Sequence, residues 1–72
     1  MQNEPVKLLD VVALLVDKPT EGLVKGHVGT VVEVFSPRDF EVEFLDPTGR
    51  TFALTTLKTN EILVLKHEPV PQ

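Results

Sequence analysis

Gly26-His27-Val28-Gly29-Thr30-Val31-Val32-Glu33-Val34-Phe35 is a glycine-marked turn running into the longest clear β-pattern of the chain. Gly26 stands where the chain must turn, and glycine reaches a positive φ without the steric penalty of a Cβ. From Val28 onward the β-branched residues suit a pleated strand better than a helix. Alternation places Thr30, Val32 and Val34 on one face and Val31, Glu33 and Phe35 on the other. We expect Val32 and Val34 in the core. Gly29, inside the strand, predicts a bulge or the close approach of another backbone.

Downstream, Ser36-Pro37-Arg38-Asp39 is a turn signal with Pro37 in the initiating place. Phe40-Glu41-Val42-Glu43-Phe44-Leu45 then alternates without a break. Phe40, Val42 and Phe44 should be buried and Glu41 and Glu43 wet. The short connector makes these two strands a hairpin. Asp46-Pro47-Thr48-Gly49 is a second turn, and Arg50 to Thr56 a fourth strand without a breaker. Either face of that strand could be inside; we expect Phe52 and Leu54 there rather than Thr51, Ala53 and Thr55. Leu57 to Glu61 reads as one helical turn and Ile62 to Leu65 as a last short strand.

Upstream, Asp10-Val11-Val12-Ala13-Leu14-Leu15-Val16-Asp17 is an apolar run too short for periodicity to separate a buried strand from a buried helix. A helix over Val6 to Val16 is the alternative. We expect a strand, because the strands that follow need an edge partner. Val6 to Asp10 is a short turn or a partial strand. Asp17 to Gly22 is a loop, and Leu23 and Val24 should tuck the rest of that connection against the core. About five short strands at regular spacing predict an all-β, SH3-like barrel with one short helical turn before the last strand. The domain should fill residues 1–72, with its core over about 9–65 and flexible tails at 1–5 and 67–72.

Seventy-two residues allow one domain. A chain of this size buries only roughly 60 % of its unfolded surface. There is no cysteine, so disulfides and thiolate metal sites are excluded. The hydrophobic fraction of 42 % is that of a folded domain. The net charge of −4 repels phosphate backbones and anionic lipid, which argues against nucleic-acid and membrane partners. No apolar run approaches the length of a membrane span. Met1-Gln2-Asn3-Glu4-Pro5 lacks the pattern of a secretory signal, so a soluble, cytoplasmic protein is expected.

Catalytic chemistry finds little foothold. His27 and His67 are the only histidines, and their separation has no metal-ligand spacing. Glu41 and Glu43 share a strand face as paired carboxylates would, but alternation already accounts for them as a solvated face. Ser36, the only serine, belongs to a turn. Gly26-His27-Val28-Gly29 lacks the lysine and the strand–helix context of a phosphate loop. We therefore expect no enzyme activity, no catalytic residue, no cofactor, no metal and no small-molecule substrate. Val31, Phe35 and Leu45 are apolar residues on faces read as outward, and Arg38 and Arg50 flank the hairpin. These five are the candidate partner contacts.

At Gly26 to Val34 the chain resembles KOW-type and other SH3-like barrels, which share two glycines three apart and then an alternating valine strand. That likeness implies an RNA- or ribosome-associated accessory protein. A wider resemblance covers Leu9 to Leu65. The blocks Asp10-Val11-Val12-Ala13-Leu14, Gly26 to Val34, Phe40-Glu41-Val42-Glu43-Phe44 and Gly49-Arg50-Thr51-Phe52-Ala53-Leu54, with Thr56-Leu57, look like a family of small bacterial proteins of unknown function. It implies a stand-alone SH3-like barrel paired with the product of a neighbouring gene, as in toxin–antitoxin pairs. It brings no binding residues with it. The leading expectation is a non-catalytic protein-interaction module, the small acidic partner of another protein. A KOW-like RNA-associated protein and a unit that associates with a second copy of itself are the alternatives.

Overall fold

The alternation of Phe40, Val42 and Phe44 with two glutamates becomes β3 (Asp39–Leu45), a strand paired on both edges. In the computed structural model, which describes residues 5–65, it lies between β2 (Val28–Ser36) and β4 (Thr51–Lys58). β1 (Val11–Leu14) pairs with β2 on one side and with β5 (Ile62–Val64) on the other. All pairings are antiparallel, and the sheet order is β4-β3-β2-β1-β5. Two 3-10 turns complete it, Pro19–Glu21 between β1 and β2 and Thr59–Glu61 before β5. No helix among the described residues is long and apolar enough to cross a membrane. The expected tails lie outside the described residues, except for Pro5, and so does His67.

The apolar run whose periodicity was ambiguous is a strand, and tertiary pairing is the reason. Val12 and Leu14 are buried, while Val11 and Leu15 are exposed. Between β2 and β5 the backbone of β1 finds hydrogen-bond partners on both sides, which a helix there would leave the neighbouring strands without. The core is one cluster drawn from every strand: Val12, Leu14, Val31, Phe40, Val42, Phe44, Leu57 and Ile62, closed by Leu23 from the β1–β2 connection. One face of the sheet therefore carries the core. Leu23 is fully buried, as expected of the connection, but Val24 is exposed.

Three residues that have no cross-strand partner correct the face assignments. The β2–β3 register shifts between Val31 and Glu33 and again between Val34 and Ser36. Val32 and Phe35 are the unpaired residues, and each bulge breaks the count of two. Val31, expected outward as a partner contact, is instead opposite Val42 and fully buried. Val32 is only half-buried and Val34 is exposed, so the expected core pair is replaced by Val31. On β4 the third shift leaves Phe52 unpaired. Ala53, Thr55 and Leu57 face Phe44, Val42 and Phe40, and this face is the inner one. Phe52 and Leu54, expected inside, are about half exposed, at 48 % and 55 %.

The turns follow their residues closely. At the β2–β3 turn Ser36 Oγ donates to Asp39 Oδ2 at 2.7 Å and accepts the N–H groups of Arg38 and Asp39 at 3.1 Å. At the β3–β4 turn Asp46 Oδ1 accepts the Thr48 N–H and hydroxyl and the Arg50 N–H, and Gly49 takes φ +89°. Gly26 is at φ +99°, as its place in the turn requires. At Gly29 the close approach is real. A Cβ there would lie 2.8 Å from the Glu43 carbonyl oxygen, 2.8 Å from Val42 Cγ1 and 2.9 Å from Phe44 Cδ2.

Before β1, Lys7-Leu8-Leu9-Asp10 forms a turn closed by Asp10 N–H to the Lys7 carbonyl at 3.0 Å and Lys7 N–H to Asp10 Oδ2 at 2.8 Å. Leu9 takes φ +72°, the only positive φ outside glycine among the described residues. Its N–H donates to the Val31 carbonyl at 2.7 Å, which holds it there.

Two substitutions test this backbone account by chemical denaturation. Gly29→Ala should cost about 2 kcal/mol or more, because the added methyl meets backbone as well as side chains. Leu9→Gly should raise stability by about 0.5–1 kcal/mol, the relief of a left-handed leucine less the entropy cost of glycine. Leu9 is 69 % exposed, so little burial is lost in that exchange.

Candidate functional site

The outward face of the sheet can be read row by row from its register. Leu63 of β5 lies opposite Ala13 of β1, and Ala13 lies opposite Val28 of β2. Extending the β2–β3 register by two residues puts Val28 opposite Leu45, whose own partner on β4 is Thr51. The next row runs Val11, Thr30, Glu43, Leu54. A third runs Glu33, Glu41, Thr56. The first row is apolar apart from Thr51, the second mixes Val11 and Leu54 with Thr30 and Glu43, and the third is polar throughout. Val28, Leu45, Leu54 and Leu63 are each more than half exposed.

At the Leu45 end this face meets a shallow cleft of about 160 Å³, lined by His27, Val28, Phe44, Leu45, Asp46, Pro47 and Phe52. The bulge on β4 aims Phe52 there, out of the alternation of its neighbours. Its ring sits against Gly22, where an added Cβ would lie 3.4 Å from Cζ, and edge-on to His27 with centroids 6.0 Å apart. The polar lining of the cleft is engaged in part. His27 Nδ1 accepts the Val24 N–H at 3.1 Å, and Asp46 Oδ1 is saturated by its turn. Among the described residues no group of three or more His, Cys, Asp or Glu is placed to hold a metal ion.

Of the five expected contact residues, the structure places only Leu45 on this surface's cleft. Val31 is in the core. Phe35 is exposed at the far end of β2, where its bulge leaves it without a partner. Arg38 and Arg50 are exposed in the turns at opposite ends of β3, about 20 Å apart along the strand, so they do not converge. Val28, Phe52, Leu54 and Leu63 were missed. Their one sequence signal is the number of large apolar residues, which exceeds what so short a chain can bury.

The segment that builds this surface, residues 8–64, matches the family described as "Domain of unknown function (DUF4926)". The chain belongs to that family. No curated protein and no solved structure matches it. All strands of the DUF4926 sheet, both 3-10 turns and the whole cleft fall inside the matched residues.

An ion pair ties the two non-sheet connections of this DUF4926 domain together. Lys18 Nζ lies 2.9 Å from Glu61 Oε2, joining the β1–β2 connection to the turn before β5. Glu61 also accepts the Lys58 N–H at 2.9 Å. The bond from Lys18, then the one from Lys58, holds the Glu61 carboxyl below the usual carboxylate range. The same contact raises Lys18. Asp39 is lowered first by the Ser36 hydroxyl and then by Lys58, and Asp46 first by the Thr48 hydroxyl and then by the Arg50 N–H.

Each of these carboxyls is more acidic folded than unfolded. Their contribution is complete above the ordinary carboxylate range, about 4, and is lost as pH falls through the lowered folded values. Lys18 contributes below its ordinary value and loses its contribution only as pH rises through the raised one. Unfolding midpoints should therefore be flat around neutrality and fall below about pH 4. Glu61→Gln should make the acid decline shallower, measured by denaturant titration across that range.

Proposed function

We propose that this domain is a non-catalytic protein-interaction module that docks another protein on the outward face of its sheet. The observation that carries this reading is the outward face of the sheet, on which Val28, Leu45, Leu54 and Leu63, from β2, β3, β4 and β5, are each more than half exposed. Scattered apolar residues are normal on a surface, but a contiguous patch is a liability that function usually explains. In the cleft, His27 Nδ1 and Asp46 Oδ1 accept bonds from their own local turns. The strand order, with a 3-10 turn before the last strand, supports the SH3-like arrangement, whose sheet closes into a small barrel. In this reading the chain is the small acidic member of a pair, and its lack of cysteine suits a reducing cytoplasm.

The test compares the tagged native chain with Leu45→Ser/Leu63→Ser, isolated from the native host. Both side chains are about half exposed, so the variant should keep its circular dichroism and most of its stability. We expect a stoichiometric partner with the native chain and its loss with the variant. A native chain that is strictly monomeric and brings nothing with it counts decisively against the reading, as does a partner the variant retains in full.

A further inference from the structure

Charge on the outward face identifies the kind of partner it fits, an inference that rests on the docking reading above. Glu33 stands directly opposite Glu41 in the β2–β3 ladder, and Glu43 follows on the same face of β3. Like charges facing one another across a ladder destabilise a sheet. Two of these carboxylates are met by hydroxyls: Thr56 Oγ1 donates to Glu41 at 2.9 Å and Thr51 Oγ1 to Glu43 at 2.5 Å. Among the described residues no ion pair reaches any of the three; the lysines in ion pairs are Lys18, with Glu61, and Lys58, with Asp39. The exposed apolar residues of this face are therefore accompanied by carboxylates, Glu43 within the second row and Glu33 and Glu41 in the third, that no ion pair among the described residues neutralises.

The geometry points to a basic amphipathic segment of another protein as the occupant of this face. Its apolar side chains would cover Val28, Leu45 and Leu63, and its Lys or Arg side chains would meet Glu33, Glu41 and Glu43. Bringing a cation to a facing carboxylate pair removes a repulsion as well as adding an attraction, so these carboxylates select sign as well as strength. A second copy is a poor match. It brings the same carboxylates and a further net charge of −4. Nucleic acid and anionic lipid are repelled by the same carboxylates.

Three synthetic peptides of equal length test this against the full chain by amide chemical-shift titration. They alternate Leu with Lys, Leu with Glu, and Ser with Lys. The Leu–Lys peptide should shift amides of the outward rows. Glu33→Gln/Glu41→Gln should bind it at least about fivefold more weakly and should itself be no less stable than the native chain. The other two peptides should leave the face unperturbed. Equal binding of the Leu–Glu peptide at this face removes the basic partner but leaves the docking reading standing. A Ser–Lys peptide that binds as well as Leu–Lys overturns the proposal, because charge alone would then account for it. Concentration-dependent self-association that covers these amides makes a second copy the occupant and overturns it too. If no peptide shifts the face, this inference falls, while the co-purification comparison still decides the docking reading independently.

Discussion

The close approach of β3 to Gly29 is the contact on which the rest of the sheet depends. A Cβ at that position would run into the Glu43 carbonyl and into Val42 and Phe44. With glycine there, β2 approaches β3 closely, two residues before Val31 meets Val42 in the core. That register carries outward in both directions. It sets β1 against β2 at Val12 and Gly29, and through β1 it sets β5. On the other side it sets β4 through the Phe40, Val42 and Phe44 partners. One residue without a side chain therefore anchors the alignment of all five strands.

The same register decides the surface. A five-stranded sheet in so short a chain has one face it can bury and one it must expose. The inner face takes both buried phenylalanines, Phe40 and Phe44. Leucines and valines remain for the outer face, and they line up because the strands are aligned. The bulges then redistribute single side chains. Val32 and Phe35 leave the ladder on β2, and Phe52 leaves it on β4 and swings to the mouth of the core beside His27. The cleft is a product of that one bulge and the adjoining turn, in which Asp46 and Gly49 close the chain.

Much of this was legible beforehand. Phe40 to Leu45 alternates cleanly, and its buried and wet faces are as expected because β3 has no extra residue of its own. Turns at Gly26, Ser36 to Asp39 and Asp46 to Gly49 carry residues whose side chains or φ freedom make the turn directly. On β4 either face was open, and the more apolar pair, Phe52 and Leu54, proved to be the outer one; on β2 Val31 was misplaced for a different reason. Counting by twos assumes an unbroken ladder, and a bulge is an agreement between two strands rather than a property of either. The candidate contacts on β2 inherited the same error, so Leu45 of β3 survives while Val28 was passed over.

What the sequence determined by itself is local: the strand pattern of Phe40 to Leu45, the turn residues, the absence of thiol chemistry and the acidic balance. Each depends on a residue and its near neighbours, whose steric and polar preferences act without knowledge of the rest of the chain. Only the tertiary structure decided which valines are buried, that Val11 to Leu14 is a strand, and that apolar residues from separate strands share one surface. Those outcomes depend on pairing between segments far apart in the chain. They are settled by backbone hydrogen bonds and by the close fit at Gly29, neither of which any one segment possesses alone.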